Sequence, residues 1–192
     1  MKKIELVYRK ILDEVIEKKN KKMTQAEIAR TLQISLSTVN LALEHLKKMN
    51  AVDVGNRSFT IVNAKKILLY WASIRNLEKD IIYRTRVDKK VVEIEKNMPP
   101  NVLFGAYSAY KFTFKDMPAD YSEIYVYAED EAIEEIKERF PENKNEGNLF
   151  VLKKDFDKMT KAQIFVDLWN LKQWYSKDFL KALECKLYGI LE

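Results

Sequence analysis

The sequence predicts an α+β protein in two parts. Residues 1–63 form a bundle of three helices closed by a β-hairpin, residues 64–80 a connecting helix, and residues 81–192 a mixed α/β unit. Three observations carry this reading. Two short amphipathic segments, each with its own cap, share a tight turn between residues 24 and 46. Alternating apolar residues flank the turn residues Gly55-Asn56-Arg57-Ser58. From residue 81 onward, strand-like runs alternate with helix-like ones. A chain of 192 residues, 47% hydrophobic and 11% aromatic, holds enough apolar material for two small cores.

The first helix runs from Ile4 to about Lys19, with Ile4, Val7, Ile11, Leu12, Val15 and Ile16 on one stripe. Thr24 with Glu27 makes a capping box for the second, whose buried side is Ala26, Ile28, Ala29 and Leu32. Ile34 plugs the turn. Ser35 caps a third helix in which Val39, Ala42, Leu43 and Leu46 face inward, leaving Ser37, Thr38, Asn40, Leu41 and Glu44 outside. Val52 and Val54, then Phe59, Ile61 and Val62, are the arms of a hairpin with a basic tip. Helix, helix, helix, hairpin resembles the winged helix-turn-helix domains of prokaryotic regulators. The resemblance implies a double-stranded DNA partner and a helix laid in the major groove. The candidate DNA-binding residues are Ser35, Ser37, Thr38, Asn40 and Leu41 on that helix, with Lys47, Lys48 and Arg57 as phosphate contacts.

Charge points the same way. Residues 1–63 hold 12 basic and 7 acidic side chains, so they carry the whole net excess of +5, and residues 64–192 are balanced. A polyanion is therefore met by the N-terminal part, through Lys21, Lys22, Arg30, Lys47, Lys48 and Arg57. His45 is the only histidine, which excludes a His-based triad, a paired-histidine relay and a His-rich zinc site within one chain. The lone Cys185 falls among Phe179, Leu180, Leu183 and Leu187 and reads as a packed thiol. No apolar run approaches the roughly 20 residues that a membrane span needs, and the N-terminus lacks a secretory pattern, so a cytoplasmic protein is expected.

The helix after Asn63 places Ile67, Leu68, Trp71, Ile74 and Leu77 on one side. It either buttresses the first domain or pairs with its copy in a homodimer, the use that two operator half-sites favour. The domain boundary is expected between Leu77 and Lys90. Beyond it come a strand over Ile81–Val87, a helix over Lys89–Met98 stopped by Pro99-Pro100, a short strand over Val102–Phe104 and a helix over Gly105–Phe112. The clearest strand is Tyr121–Ala128, where Ile124, Val126 and Ala128 alternate with Tyr125 and Tyr127. A helix over Glu131–Phe140, a strand over Asn148–Leu152 and helices over Thr160–Leu171 and Ser176–Leu191 complete the chain.

Leu103-Phe104-Gly105-Ala106-Tyr107-Ser108-Ala109 followed by Tyr121-Ser122-Glu123-Ile124-Tyr125-Val126 looks like the core of minimal nucleotidyltransferases. There a strand enters a Gly-Ser turn, and the next strand carries two carboxylates at alternate positions. Residues two apart on a strand point the same way, so both carboxylates can hold the divalent metals of a nucleoside triphosphate. Here those positions are Glu123 and Tyr125, and Ala106 stands where the family's serine follows the glycine. No catalytic residue, metal site or cofactor is expected, and the C-terminal unit is nucleotidyltransferase-like without being an enzyme.

Gly105, Ser108 and Ala109, the run Ile124-Tyr125-Val126-Tyr127, and Gln163 with Asp167, Leu168 and Leu171 give the whole chain a resemblance to the AbiEi-type antitoxins and their archaeal relatives. That resemblance implies a repressor of its own operon and a toxin-like nucleotidyltransferase as protein partner. Tyr107, Tyr110, Tyr125, Tyr127, Trp169 and Trp174 are then either core or a partner-binding surface. The alternative is a nucleotidyltransferase acting on RNA or protein, with the winged domain positioning its substrate. It requires a second carboxylate near Glu123, for which Asp155 and Asp157 are the candidates.

Overall fold

The computed structural model describes residues 1–143 and 145–189. The chain divides into two compact units. The first comprises Met1–Arg75, Thr160–Val166 and the chain from Leu183 onward, and the second Asn76–Met159 with Asp167–Ala182. Among the described residues no helix is long and apolar enough to cross a membrane.

The first unit begins with α1 (Lys3–Ile16), β1 (Lys22–Met23), α2 (Gln25–Leu32) and α3 (Leu36–Lys48). It continues with β2 (Val52–Val54), β3 (Phe59–Ile61) and α4 (Ala64–Ile74). Each helix starts where a side chain can satisfy a free backbone N–H. Thr24 Oγ1 accepts from Glu27 N at 3.1 Å while Glu27 Oε2 accepts from Thr24 N at 3.0 Å, the reciprocal pair the spacing predicts. Asn63 Oδ1 accepts from Lys66 N at 2.9 Å. The turn between α2 and α3 passes through Gln33 in the left-handed region, φ 52°, and closes with Ile34 N donating to Ala29 O at 3.1 Å. Val7, Ile11, Leu12, Ile28, Val39, Leu43, Leu46, Phe59, Ile67 and Trp71 are buried and form the apolar interior of this unit. Of the predicted inward side of α2 only Ile28 is fully buried, and Ala26 is exposed. Two residues are about 200° of helical turn, so Ala26 and Ile28 cannot share a face.

The helix predicted over 64–80 ends at Ile74, and Arg75 leaves it in an extended conformation. Residues Glu78–Asp80 make a separate 3-10 turn, and Leu77 is buried outside the helix. The apolar face of α4, Ile67, Leu68, Trp71 and Ala72, is buried within its own unit, where α4 packs on α1. That face is a buttress, which corrects the expectation that it pairs with a second copy.

The second unit holds β4 (Ile81–Thr85), α5 (Val91–Lys96), β5 (Leu103–Phe104), α6 (Ala106–Phe114) and β6 (Ile124–Ala128). Then come α7 (Asp130–Arg139), β7 (Leu149–Lys153) and parts of α8 (Lys161–Trp169) and α9 (Ser176–Leu187). The sheet order is β4-β7-β6-β5. β6 and β7 are parallel, joined by the crossover helix α7, while β4 and β5 run antiparallel to their neighbours. All five residues of β6 are buried, as a central strand covered on both sides requires. Ile124, Val126 and Ala128 join Ile94, Ile133, Ile136 and Val151 in one core cluster. On the alternate positions, Tyr125 stacks on Phe150 at 4.7 Å and Tyr127 packs against Phe156 at 4.9 Å.

The tyrosines entertained as a partner surface are therefore core: Tyr107, Tyr110, Tyr125 and Tyr127 are all buried. Trp169 and Trp174 are exposed. Cys185 is exposed as well, correcting its assignment as a packed thiol. Phe179, Leu183 and Leu187, spaced by four, hold the buried stripe of α9, and Cys185 lies about 200° from Leu183. The last helix ends at Leu187, and the predicted extension to Leu191 falls outside the described residues.

Candidate nucleic-acid interface

The outward side of α3 is a continuous stripe. Ser37, Leu41, Glu44 and Lys48 follow at helical spacing, with Asn40 and Lys47 beside them, and all six are exposed. Leu36 and Leu41 are about half exposed, at 54% and 50%, which leaves two aliphatic groups available to thymine methyls. At the helix start, Ser35 Oγ accepts from Thr38 N at 3.2 Å and lies 2.9 Å from Ser37 Oγ and 2.8 Å from Thr38 Oγ1. These hydroxyls are linked to one another, and Thr38 is half-buried behind Ser35. The cap and the reading face are thus built from the same serines, with Asn40 the first polar side chain clear of the cap.

Sequence reasoning left the relation between Asn40 and Glu44 unread. Asn40 Nδ2 donates to Glu44 Oε1 at 3.4 Å, one helical turn along. The spacing of four on an exposed face is the signal that discloses it. His45, half-buried, lies on the other side of α3 with its ring 6.0 Å from that of Tyr70.

β2 and β3 pair antiparallel with Val52 opposite Ile61 and Val54 opposite Phe59, leaving Gly55-Asn56-Arg57-Ser58 as the loop. Gly55 N donates to Ser58 O at 2.9 Å and closes the tip, from which Arg57 is exposed. A third strand, absent from the sequence reading, completes the wing: β1 pairs with β3, Lys22 opposite Thr60 and Met23 opposite Phe59. That pairing fixes exposed Lys22 on the edge of the hairpin sheet that carries Arg57. Arg57→Ala is expected to weaken binding to all duplexes alike and to reduce the salt slope of log K by about one unit, because a single phosphate contact is removed. Titrations at several salt concentrations measure it, and an unchanged slope would place the hairpin away from DNA.

In the second unit, Gly105 meets the residues that carried the whole-chain resemblance. Its N–H donates to Tyr125 O at 2.8 Å, and a Cβ at this position would stand 3.1 Å from Tyr127 Cε2 and 3.2 Å from Asp167 Oδ2. Tyr127 Oη donates to buried Asp167 Oδ1 at 2.8 Å. Ser108 is buried and accepts from Tyr121 Oη at 3.4 Å, and Ala109 is core. Gln163, also buried, donates its backbone N–H to the Thr160 cap at 3.2 Å within the first unit.

Glu123 precedes β6, and its carboxylate accepts from the Tyr175 and Ser122 hydroxyls. Tyr125, two residues on, is buried, and its hydroxyl is held protonated to well above the usual phenol range, first by burial and then by the charge of Glu123. The parallel register puts Ile124 opposite Leu149 and Ala128 opposite Lys153. Glu123 therefore sits beside the start of β7, whereas Asp155 and Asp157 lie beyond its end, about 13 Å of strand away. Among the described residues no three His, Cys, Asp or Glu side chains gather as a metal site. A cavity of about 420 Å³ adjoins Glu123, with Arg84, Arg86, Lys172, Glu78 and Tyr125 in its wall.

No curated protein and no solved structure matches the chain. A family model does match residues 9–53, the segment from α1 into β2, and its description agrees with the cap, reading helix and hairpin just described: the N-terminal part of this chain is a winged helix-turn-helix DNA-binding domain.

Proposed function

We propose that the protein is a transcriptional repressor that regulates its own operon in the manner of an antitoxin. In this reading α3 lies in the major groove and the wing and flanking lysines hold the phosphates. The observation that carries it is the exposed stripe of α3, polar toward its N-terminus and basic toward its end, beside a hairpin tipped by Arg57. The local net excess of positive charge supports it. Repression follows from occupancy of a promoter, and pairing of two chains on two half-sites supplies the affinity that one domain without an arginine on its reading helix lacks.

We assign the second unit to interaction or sensing, in a nucleotidyltransferase-like frame without catalysis. Tyr125 occupies the second ligand position of the motif, and a neutral phenol does not replace a carboxylate as a ligand for magnesium. Exposed Trp169 and Trp174 are anchors for a protein partner such as a toxin-like nucleotidyltransferase, and the cavity beside Glu123 is of the size a small effector needs.

One experiment has two arms. The purified protein is titrated against the duplex upstream of its own gene and against shuffled DNA, and preferential binding to the former is expected. It is also incubated with magnesium or manganese, each labelled nucleoside triphosphate, and RNA and protein acceptors, and unlabelled acceptors are expected. Labelling that vanishes in Glu123→Gln would establish an enzyme and overturn this assignment of the second unit.

A further inference from the structure

The geometry points to Glu44 as a base-selecting residue that, with Asn40, makes this DNA-binding domain choose base edges bearing an exocyclic amine, adenine N6 or cytosine N4. The inference rests on α3 being the reading helix. Its starting point is an anomaly: a carboxylate stands in the middle of a face that is proposed to meet a polyanion, between Leu41 and Lys48. Such a charge weakens attraction to every phosphate backbone. It lends affinity only where a donor on a base edge meets it.

The hydrogen bond from Asn40 Nδ2 to Glu44 Oε1 sets the polarity of the pair. With its amide nitrogen turned toward Glu44, Asn40 offers Oδ1 to the groove, and Glu44 is acceptor-only when ionised. Two adjacent acceptors match adenine N6 and cytosine N4, and they oppose guanine O6 and thymine O4, which are acceptors themselves. The composition of α3 agrees. Its sequence, Leu36-Ser37-Thr38-Val39-Asn40-Leu41-Ala42-Leu43-Glu44, holds no arginine or lysine before Lys47, so the usual bidentate reader of guanine is missing from the part of the helix that enters the groove. Glu44 thus lowers binding to DNA at large and restores it at sites with an amine in register.

Selection from a randomised duplex library, run with the parent, Glu44→Gln and Glu44→Ala, tests this. The side chain is exposed, and matching thermal melts show that all three proteins fold alike. The parent is expected to recover a motif with adenine or cytosine at one position and to prefer it over the guanine- or thymine-substituted duplex by roughly 5- to 150-fold. Glu44→Ala should reduce that preference to about twofold or less while binding random duplex more tightly than the parent. Glu44→Gln, which can donate as well as accept, should admit guanine and thymine at the same position. A parent that selects a motif which both variants reproduce with unchanged preference overturns the role of Glu44 and leaves the DNA reading standing. A parent that binds no duplex overturns the DNA reading itself.

Discussion

Glu5→Ala is expected to destabilise the first unit by about 3–5 kcal/mol, the range for removing one partner of a buried ion pair. Glu5 is 2% exposed on α1, and its Oε2 accepts from Trp71 Nε1 at 3.3 Å and from the guanidinium of Arg75 at 3.5 Å. Its Oε1 also accepts from Lys2 N at 3.4 Å. None of these contacts is short, and in water each would count for little. Burial changes that: with the carboxylate gone, an indole N–H inside the core loses its acceptor and a guanidinium 1% exposed loses its counter-charge. Glu5→Gln keeps an acceptor for Trp71 and removes only the charge, so its loss should be smaller. Urea unfolding followed by tryptophan fluorescence measures both. A loss below about 1 kcal/mol for Glu5→Ala would show that water or a neighbouring group takes over the buried donors. Because α1 packs on α3 as well as α4, the same variant should lose DNA binding at temperatures where the parent retains it.

How far the sequence discloses this molecule depends on whether a feature is local. The boundaries of α2 and α3 were legible because Thr24, Glu27 and Ser35 act on backbone groups within three residues of themselves. Strand β6 was legible because its alternation survives being covered on both sides: the aliphatic positions face one layer and the tyrosines the other. β1 was not. Lys22-Met23 carries no period of its own and becomes a strand only through β3, nearly forty residues later, and the Glu5–Trp71–Arg75 cluster joins groups 66 and 70 residues apart. Cys185 misled for a related reason. A run rich in apolar residues was read as a stripe, although only positions spaced by four share the buried side of α9. In the nucleotidyltransferase-like motif, Gly105 carried a signal whose cause is packing. The position tolerates no Cβ comfortably because Tyr127 and Asp167 close over it, and neither residue is near it in sequence.

Asn40→Ala should cost about 1–3 kcal/mol of sequence discrimination, roughly 5- to 150-fold between the native operator and a single-base variant. The candidates on α3 are not equivalent. Ser35, Ser37 and Thr38 hydrogen-bond among themselves at the helix start, so Ser37→Ala removes a hydroxyl already occupied and should have the smaller effect. Asn40 is exposed, lies clear of the cap and spends only its amide nitrogen on Glu44, leaving its carbonyl oxygen to a base. Alanine is the best helix former and position 40 buries nothing, so the variant should fold at least as well as the parent, and any loss belongs to the interface. Removing Asn40 also releases Glu44 from the orientation their bond imposes. The costs of Asn40→Ala and Glu44→Ala should therefore fall short of adding in the double variant, by at least about 0.5 kcal/mol. Titration of the four proteins against the native and single-base-variant duplexes gives the whole cycle. Equal discrimination by Asn40→Ala and the parent would move the reading face elsewhere on α3, and full additivity would mean that Asn40 and Glu44 meet the groove independently.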